Sequence, residues 1–252
     1  MSAGHTLCGD LAALSSVGWW YDWGPDRSSF ANVGCPLNKV NGGGMAEYVP
    51  MISSLSGLAS VNETRIRGSE YLLGYNEPEN HQQVNASDGA RYWLGVEALA
   101  AQHNLTLVAP CVGNYAHDSD KKWLKDWQTA CQQLYGRPCH YDHVCTHAYF
   151  SGHDAISKLK TMLDQMYTDF RKPIWLNEFA YGVHNVTEAD QMSFMQAALP
   201  IVQHHPHVFR YSWYVSRKFV DAGYNKKRGS SLLQENRSVL TPLGVYYNSF
   251  DP

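Results

Sequence analysis

The chain has 252 residues, 44% of them hydrophobic and spread along the whole length, so a sizeable core can form and intrinsic disorder is excluded as the main state. Twenty Lys and Arg stand against 23 Asp and Glu for a net charge of −3, with no long run of either sign. That removes the electrostatic case for a nucleic-acid or anionic-membrane partner. No apolar stretch approaches the roughly 18 to 20 residues needed to span a bilayer. The length suits one domain over residues 1–252, because barrels of about 250 residues fold as a unit.

In chain order, the predicted elements alternate between short apolar β-rich runs and longer segments of helical period. Candidate strands are Val17–Trp23, Tyr48–Ile52, Tyr71–Tyr75, Leu105–Ala109, His143–Tyr149, Ile174–Phe179 and Val208–Tyr214. A first helical pattern, capped by Ser87 or Asp88, carries Trp93, Val96, Leu99 and Ala100; a second carries Trp123, Leu124, Trp127, Cys131 and Leu134. A third has Ile156, Leu159, Leu163, Met166 and Phe170, and a fourth starts at the N-cap Thr187 and carries Met192, Met195, Leu199 and Val202. Such alternation means βαβ units and a parallel sheet. A doubly wound sheet would show a Gly-rich turn after its first strand, but here that turn reads Gly24-Pro25-Asp26-Arg27. The expected architecture is therefore a (β/α)8 TIM barrel with one short or irregular strand, the eighth lying near Ser231–Leu233.

Met1 to Asp10 has neither a basic n-region nor an apolar h-region and is no signal peptide. Asn-x-Ser/Thr triplets at Asn62, Asn85, Asn104, Asn185 and Asn236, with an even number of cysteines, still favour an oxidising secretory environment. The protein is expected to be secreted or held in a cell wall, a signal segment having been removed. Cys8, Cys35, Cys111, Cys131, Cys139 and Cys145 include no C-x-x-C pair, which argues against a zinc ribbon and leaves their pairing open. His204-His205-Pro206-His207 reads as a turn before a strand, because Pro interrupts any ligand spacing. There is no G-x-S-x-G elbow, P-loop or G-x-G-x-x-G, and Gly42-Gly43-Gly44 reads as a loop. No metal or organic cofactor is expected, and a monomer is the simplest state.

Two segments carry the chemistry. In Tyr71-Leu72-Leu73-Gly74-Tyr75-Asn76-Glu77-Pro78, an apolar strand runs into an acidic residue that Pro78 is expected to hold extended. Pro173-Ile174-Trp175-Leu176-Asn177-Glu178-Phe179 repeats the design, with Glu178 over the barrel axis if Leu176 points inward. Two strand-end glutamates suit cleavage of a sugar acetal, which needs one protonated carboxyl for the departing oxygen and one carboxylate for the anomeric carbon. The heavy use of aromatics, 8 Trp, 16 Tyr and 8 Phe, would supply flat surfaces for sugar rings.

Asn76-Glu77-Pro78 with Trp175-Leu176-Asn177-Glu178-Phe179 resembles glycoside hydrolase clan A. With Trp20-Tyr21-Asp22-Trp23, Tyr48-Val49-Pro50-Met51, His147-Ala148-Tyr149 and Leu240-Thr241-Pro242-Leu243-Gly244, it resembles more narrowly the glycosyl hydrolase catalytic core family of the fungal alkali-sensitive-linkage type, glycoside hydrolase family 128. The resemblance implies a secreted, retaining β-1,3-glucanase acting on β-1,3-glucan or its oligosaccharides, with Glu77 as acid/base and Glu178 as nucleophile. It implies that Asn76 meets the sugar 2-hydroxyl, Tyr149 orients Glu178 and Trp213 floors a subsite. Trp20, Tyr21, Trp23, His147 and Asn177 are the other expected substrate-binding residues. A bell-shaped rate profile with a mildly acidic optimum is expected to follow from a raised Glu77. The alternative is a glucan-binding protein of the same fold with little turnover. The chain departs from the family pattern at Asp22, at Ala148 and in Ala109-Pro110-Cys111, which usually read Asn, a bulky residue and Ser-Pro-Ala.

Overall fold

In the computed structural model, the described residues are 1–4, 6–25, 46–61, 66, 68–80, 84–182, 186–217 and 229–250. Asn62, Asn185, Cys35 and the Gly42–Gly44 run lie outside them. The strands are β1 (Trp19–Trp20), β2 (Glu47–Tyr48), β3 (Tyr71–Leu73), β4 (Thr106–Val112), β5 (His143–Ala148), β6 (Ile174–Phe179) and β7 (Val208–Trp213). The helices are α1 (Asp10–Ala13), α2 (Ala86–Gln102), α3 (Asp118–Tyr135), α4 (Ala155–Phe170), α5 (Glu188–His204) and α6 (Pro242–Ser249).

All strand pairs are parallel. β3 to β7 lie side by side in chain order as a curled five-stranded sheet, and β1 pairs with β2. The two sheets touch through a parallel bridge between Met51 and Leu73. Leu73 N–H donates to Pro50 O and Ile52 N–H to Leu73 O, each at 2.9 Å. At the far edge Ser2 bridges Tyr21, and Ser216 N–H donates to Ser2 O at 3.0 Å.

The expected barrel is therefore present in part. β1 and β2 are shorter than their apolar runs, and Pro50, which has no N–H to give, stands just past β2. The expected eighth strand is reduced to one antiparallel bridge, Leu233 with Leu240, while Leu232 and Leu233 N–H groups donate to Val215 and Ser216 carbonyls. β3 stops before Gly74, where a Cβ would stand 2.8 Å from the Trp93 ring and 2.9 Å from Val108 O. Only glycine permits that approach of strand to helix.

In α2 to α5 the predicted stripes are buried or half-buried, except at Leu134 near the end of α3, which is 45% exposed. The cap of α2 is Asn85 rather than Ser87 or Asp88, its side chain accepting Asp88 N–H at 2.8 Å. Thr187 caps α5 as expected, in a reciprocal capping box with Asp190. Trp93 on α2 meets Trp127 on α3 edge-on at 4.9 Å, a geometry worth about 0.5–1.5 kcal/mol beyond the area buried. The larger apolar cluster fills the layer between sheet and helices. A second cluster lies inside the curl: Trp19, Tyr21, Val49, Met51, Leu73, Val108, Cys111, Cys145 and Trp175. Disulfides join Cys111 of β4 to Cys145 of β5, and Cys131 of α3 to Cys139. Cys8 is also disulfide-bonded, and no described cysteine is free. No helix among the described residues is long and apolar enough to cross a membrane.

Candidate active site

The ends of β3, β5 and β6 bring together Glu77, His147 and Glu178, whose residual exposures are 9%, 0% and 5%. Glu77 and Glu178 are each aimed by a local departure from regular strand, whereas His147 keeps the inward phase of Cys145. In β6, Trp175 faces the inner cluster and Leu176 the helix layer, so regular alternation would send Glu178 outward with Leu176. Pairing with β5 runs from Thr146–Leu176 to His147–Glu178, leaving Asn177 as one residue extra. Pairing with β7 shifts over the same stretch, from Leu176–Tyr211 to Phe179–Trp213. This bulge resets the phase, turning Glu178 inward and Phe179 to the helix layer. The expectation that Leu176 and Glu178 share an inward face is corrected accordingly.

Glu77 is likewise not extended. Its φ is +41°, in the left-handed region. Pro78 excludes the right-handed helical basin, and two hydrogen bonds fix the remaining choice. Glu77 N–H donates to Cys111 O at 2.8 Å, continuing the ladder with β4, while its carbonyl accepts Asn80 N–H at 3.0 Å to close a turn. A non-glycine residue held there costs about 1–3 kcal/mol and persists only where its surroundings enforce it. Trp23, which also reaches the site, is left-handed too, at φ +58°.

His147 lies between the two carboxylates. A 2.7 Å hydrogen bond joins its Nδ1 to Glu77 Oε1, and its Nε2 stands 3.6 Å from Glu178 Oε1. Burial works against the imidazolium, but the Glu178 charge and then the bond and charge of Glu77 outweigh it, so the His147 pKa is raised. Glu178 Oε1 accepts Trp23 Nε1–H at 2.7 Å and Tyr21 Oη–H at 3.1 Å, and Oε2 accepts the Tyr149 hydroxyl. Burial first, then the Glu178 charge, pushes both phenols well above the ordinary tyrosine range. They therefore remain donors at every working pH. Donor atoms of Glu77, His147 and Glu178 all lie within 4.8 Å of one another. The hydrogen bond between His147 and Glu77 and the three donors on Glu178 make an arrangement suited to handling protons.

The other expected residues divide. Tyr21, Trp23, His147 and Tyr149 meet around the two glutamates. Asn76 bridges Cys111 beside Glu77 and keeps a buried Oδ1 without a hydrogen-bond partner. Asn177 is the bulge residue, fully buried, with both side-chain polar atoms unpartnered. Trp20 and Trp213 are corrections. Trp20 packs on Tyr48 at 4.7 Å in the helix-facing layer. Trp213 packs on Phe179 at 5.2 Å, and its Nε1–H donates to Ser230 O at 2.9 Å, so it floors no subsite. Both have the outward phase of their strands. Tyr214, missed from sequence, stands edge-on to Tyr149 at 5.6 Å and to Trp23 at 6.1 Å. Its position one residue after Trp213 was the available signal. Glu79 and Gly113, beside Glu77, were also missed.

The model of the family described as Glycosyl hydrolase catalytic core matches residues 4–247. The chain belongs to the glycosyl hydrolase catalytic core family. The alkali-sensitive linkage protein 1 of Schizosaccharomyces pombe is 26% identical over 242 residues, covering 92% of this chain; the chain spans 40% of the length of that relative. A glycoside hydrolase family 128 subgroup II endo-β-1,3-glucanase from Sorangium cellulosum superposes with a TM-score of 0.78 at 26% identity, over 99% of this chain and 98% of that one. Its counterpart from Pseudomonas viridiflava gives 0.80 at 26% identity, over 100% and 96%. A subgroup I enzyme from Amycolatopsis mediterranei, solved with laminaripentaose, shares the fold at 0.75 and 20% identity, over 98% and 97%. These likenesses group the catalytic core chain with the glycoside hydrolases of family 128.

Proposed function

We propose that the protein hydrolyses β-1,3-glucan with retention of configuration, on a closed (β/α)8 barrel formed by residues 1–252. The observation that carries this reading is the approach of Glu77 and Glu178, a carboxylate oxygen of each lying within 4.8 Å of the other at the ends of β3 and β6. Retaining enzymes hold their carboxyl groups about 5–5.5 Å apart, whereas inverting enzymes leave about 6.5–9.5 Å for a water. In the first step Glu178 attacks the anomeric carbon while Glu77 gives its proton to the departing glycosidic oxygen. A glycosyl ester on Glu178 results. In the second step Glu77 takes a proton from water, whose oxygen attacks the same carbon and frees Glu178. Trp23, Tyr21 and Tyr149 donate to Glu178 and aim it, and the unpartnered Asn76 Oδ1 suits a sugar 2-hydroxyl.

The substrate comes from the relatives, two of which are named endo-β-1,3-glucanases at 26% identity. The half-buried aromatics Trp23, Tyr149 and Tyr214 support it as stacking surfaces. The disulfides support secretion into an oxidising compartment, and the protein is read as a monomer. Product analysis on linear β-1,3-glucan, with Glu178→Gln beside the native protein, tests the reading. Short β-1,3-oligomers are expected from the native protein, and a loss of roughly three orders of magnitude or more from the variant with binding retained. Laminari-oligosaccharide binding without products would replace hydrolysis by glucan binding, and a loss of tenfold or less would remove Glu178 as nucleophile.

A further inference from the structure

A third carboxyl lies against the proposed acid/base. Glu79 follows Glu77 across Pro78, and its Oε1 accepts Gly113 N–H at 2.6 Å. Gly113 comes directly after β4 and has no side chain to separate the two acids. A Cβ built there would stand 3.1 Å from Glu79 Oε1, 3.5 Å from the Glu77 carboxyl carbon and 2.7 Å from Asn80 Nδ2. The two carboxyl groups therefore flank one backbone position. Glu79 Oε2 is buried without a hydrogen-bond partner. Among the described residues, the other charged groups facing Glu79 are Asp120 of α3, itself buried and accepting Asn114 N–H at 2.7 Å, and His147 of β5.

We propose that Glu79 is a positioning residue for Glu77, fixing the Gly113 backbone beside it and using its own charge to delay the loss of the Glu77 proton as pH rises. The proposal rests on the acid/base reading of Glu77. Burial pushes the Glu79 carboxyl up to about 7, against the pull of the Gly113 N–H and with help from the charges of Asp120 and Glu77. Below that pH Glu79 is neutral. Above it a negative charge stands beside Glu77, and a like charge disfavours a second ionisation. The two acids then titrate as a pair, and Glu77 keeps its proton further into neutral pH than it would beside a neutral neighbour.

Glu79→Gln keeps an oxygen for Gly113 N–H and removes the charge. The kcat/KM profile on a laminari-oligosaccharide is expected to lose its alkaline shoulder, so that the deficit against native protein grows to about three- to tenfold near pH 8. In parallel, 13C NMR of labelled glutamate carboxyls is expected to show a native resonance that titrates near 7 and is missing from the variant, with the Glu77 midpoint moved to lower pH. A deficit that is equal at every pH, or an unmoved Glu77 midpoint, would overturn the proposal. Should the native protein fail to cleave glucan, the hydrolase reading falls, and the Glu77 midpoint still decides whether Glu79 acts on its neighbour.

Discussion

Changing Tyr149 to Phe removes one hydrogen-bond donor from the proposed nucleophile. Among the described residues, Tyr21 and Trp23 both donate to Glu178 Oε1, while Oε2 takes its donor from Tyr149. The Tyr149 ring would keep its edge contact with Tyr214 at 5.6 Å, so the wall of the cleft stays in place. A hydrogen bond to a charged group contributes about 1.5–3 kcal/mol, equivalent to roughly 10- to 100-fold in rate if it is lost in the transition state. The assay is steady-state kinetics from pH 4 to 8 on a laminari-oligosaccharide, with thermal melting as the control for folding. A Tyr149→Phe protein that melts like native and keeps kcat/KM within about twofold across this pH range would refute the assignment of Glu178 as the group that these donors serve.

Two further substitutions test the electrostatic account. The raised His147 pKa means that its stabilising contribution is complete below the ordinary imidazole value of about 6.5 and is lost as pH rises through the folded-state value. The melting-temperature gap between native protein and His147→Asn should therefore be widest in acid and close on the alkaline side; a gap independent of pH would count against the charged pairing. The buried ion pair of Arg217 with Asp10 is reinforced by Arg217 bonds to the Gln234 and Arg237 carbonyls and by Ser238 and Leu7 donating to Asp10. Asp10→Asn leaves a buried guanidinium unpaired and should cost about 3–5 kcal/mol in urea denaturation, with a loss under 1 kcal/mol contradicting the assignment.

The elements with strong periods were legible in sequence because helix and strand identity follow from local pattern. Trp123 and Trp127, or Leu159, Leu163 and Met166, could only face a core together from one side of a helix. The convergence of Glu77 and Glu178 was legible for a similar reason, since an apolar run ending in Asn-Glu puts the acid at a strand end. The direction of each side chain was not. Trp20 and Trp213 sit one residue out of phase with the inward-facing positions, and nothing in their composition reveals that. The left-handed turn at Glu77 depends on a carbonyl supplied by Cys111, 34 residues away in sequence. Gln191, whose side chain donates to Tyr181 O and accepts Tyr181 N–H, ties a helix to the loop after β6 in a way no local pattern signals.

At the Asn177 bulge, any substitution keeps the number of residues between Leu176 and Phe179, and with it the inward turn of Glu178. Loss of the Asn177 codon would likewise leave Glu178 inward and Phe179 toward the helices, because Trp175, Leu176, Glu178 and Phe179 would then alternate as a regular strand. Such a deletion would leave the sheet, the helices and nearly the whole amino-acid inventory as they are. The extra residue is therefore not what an inward glutamate requires: it adds to the strand end a buried amide that a regular strand has no place for.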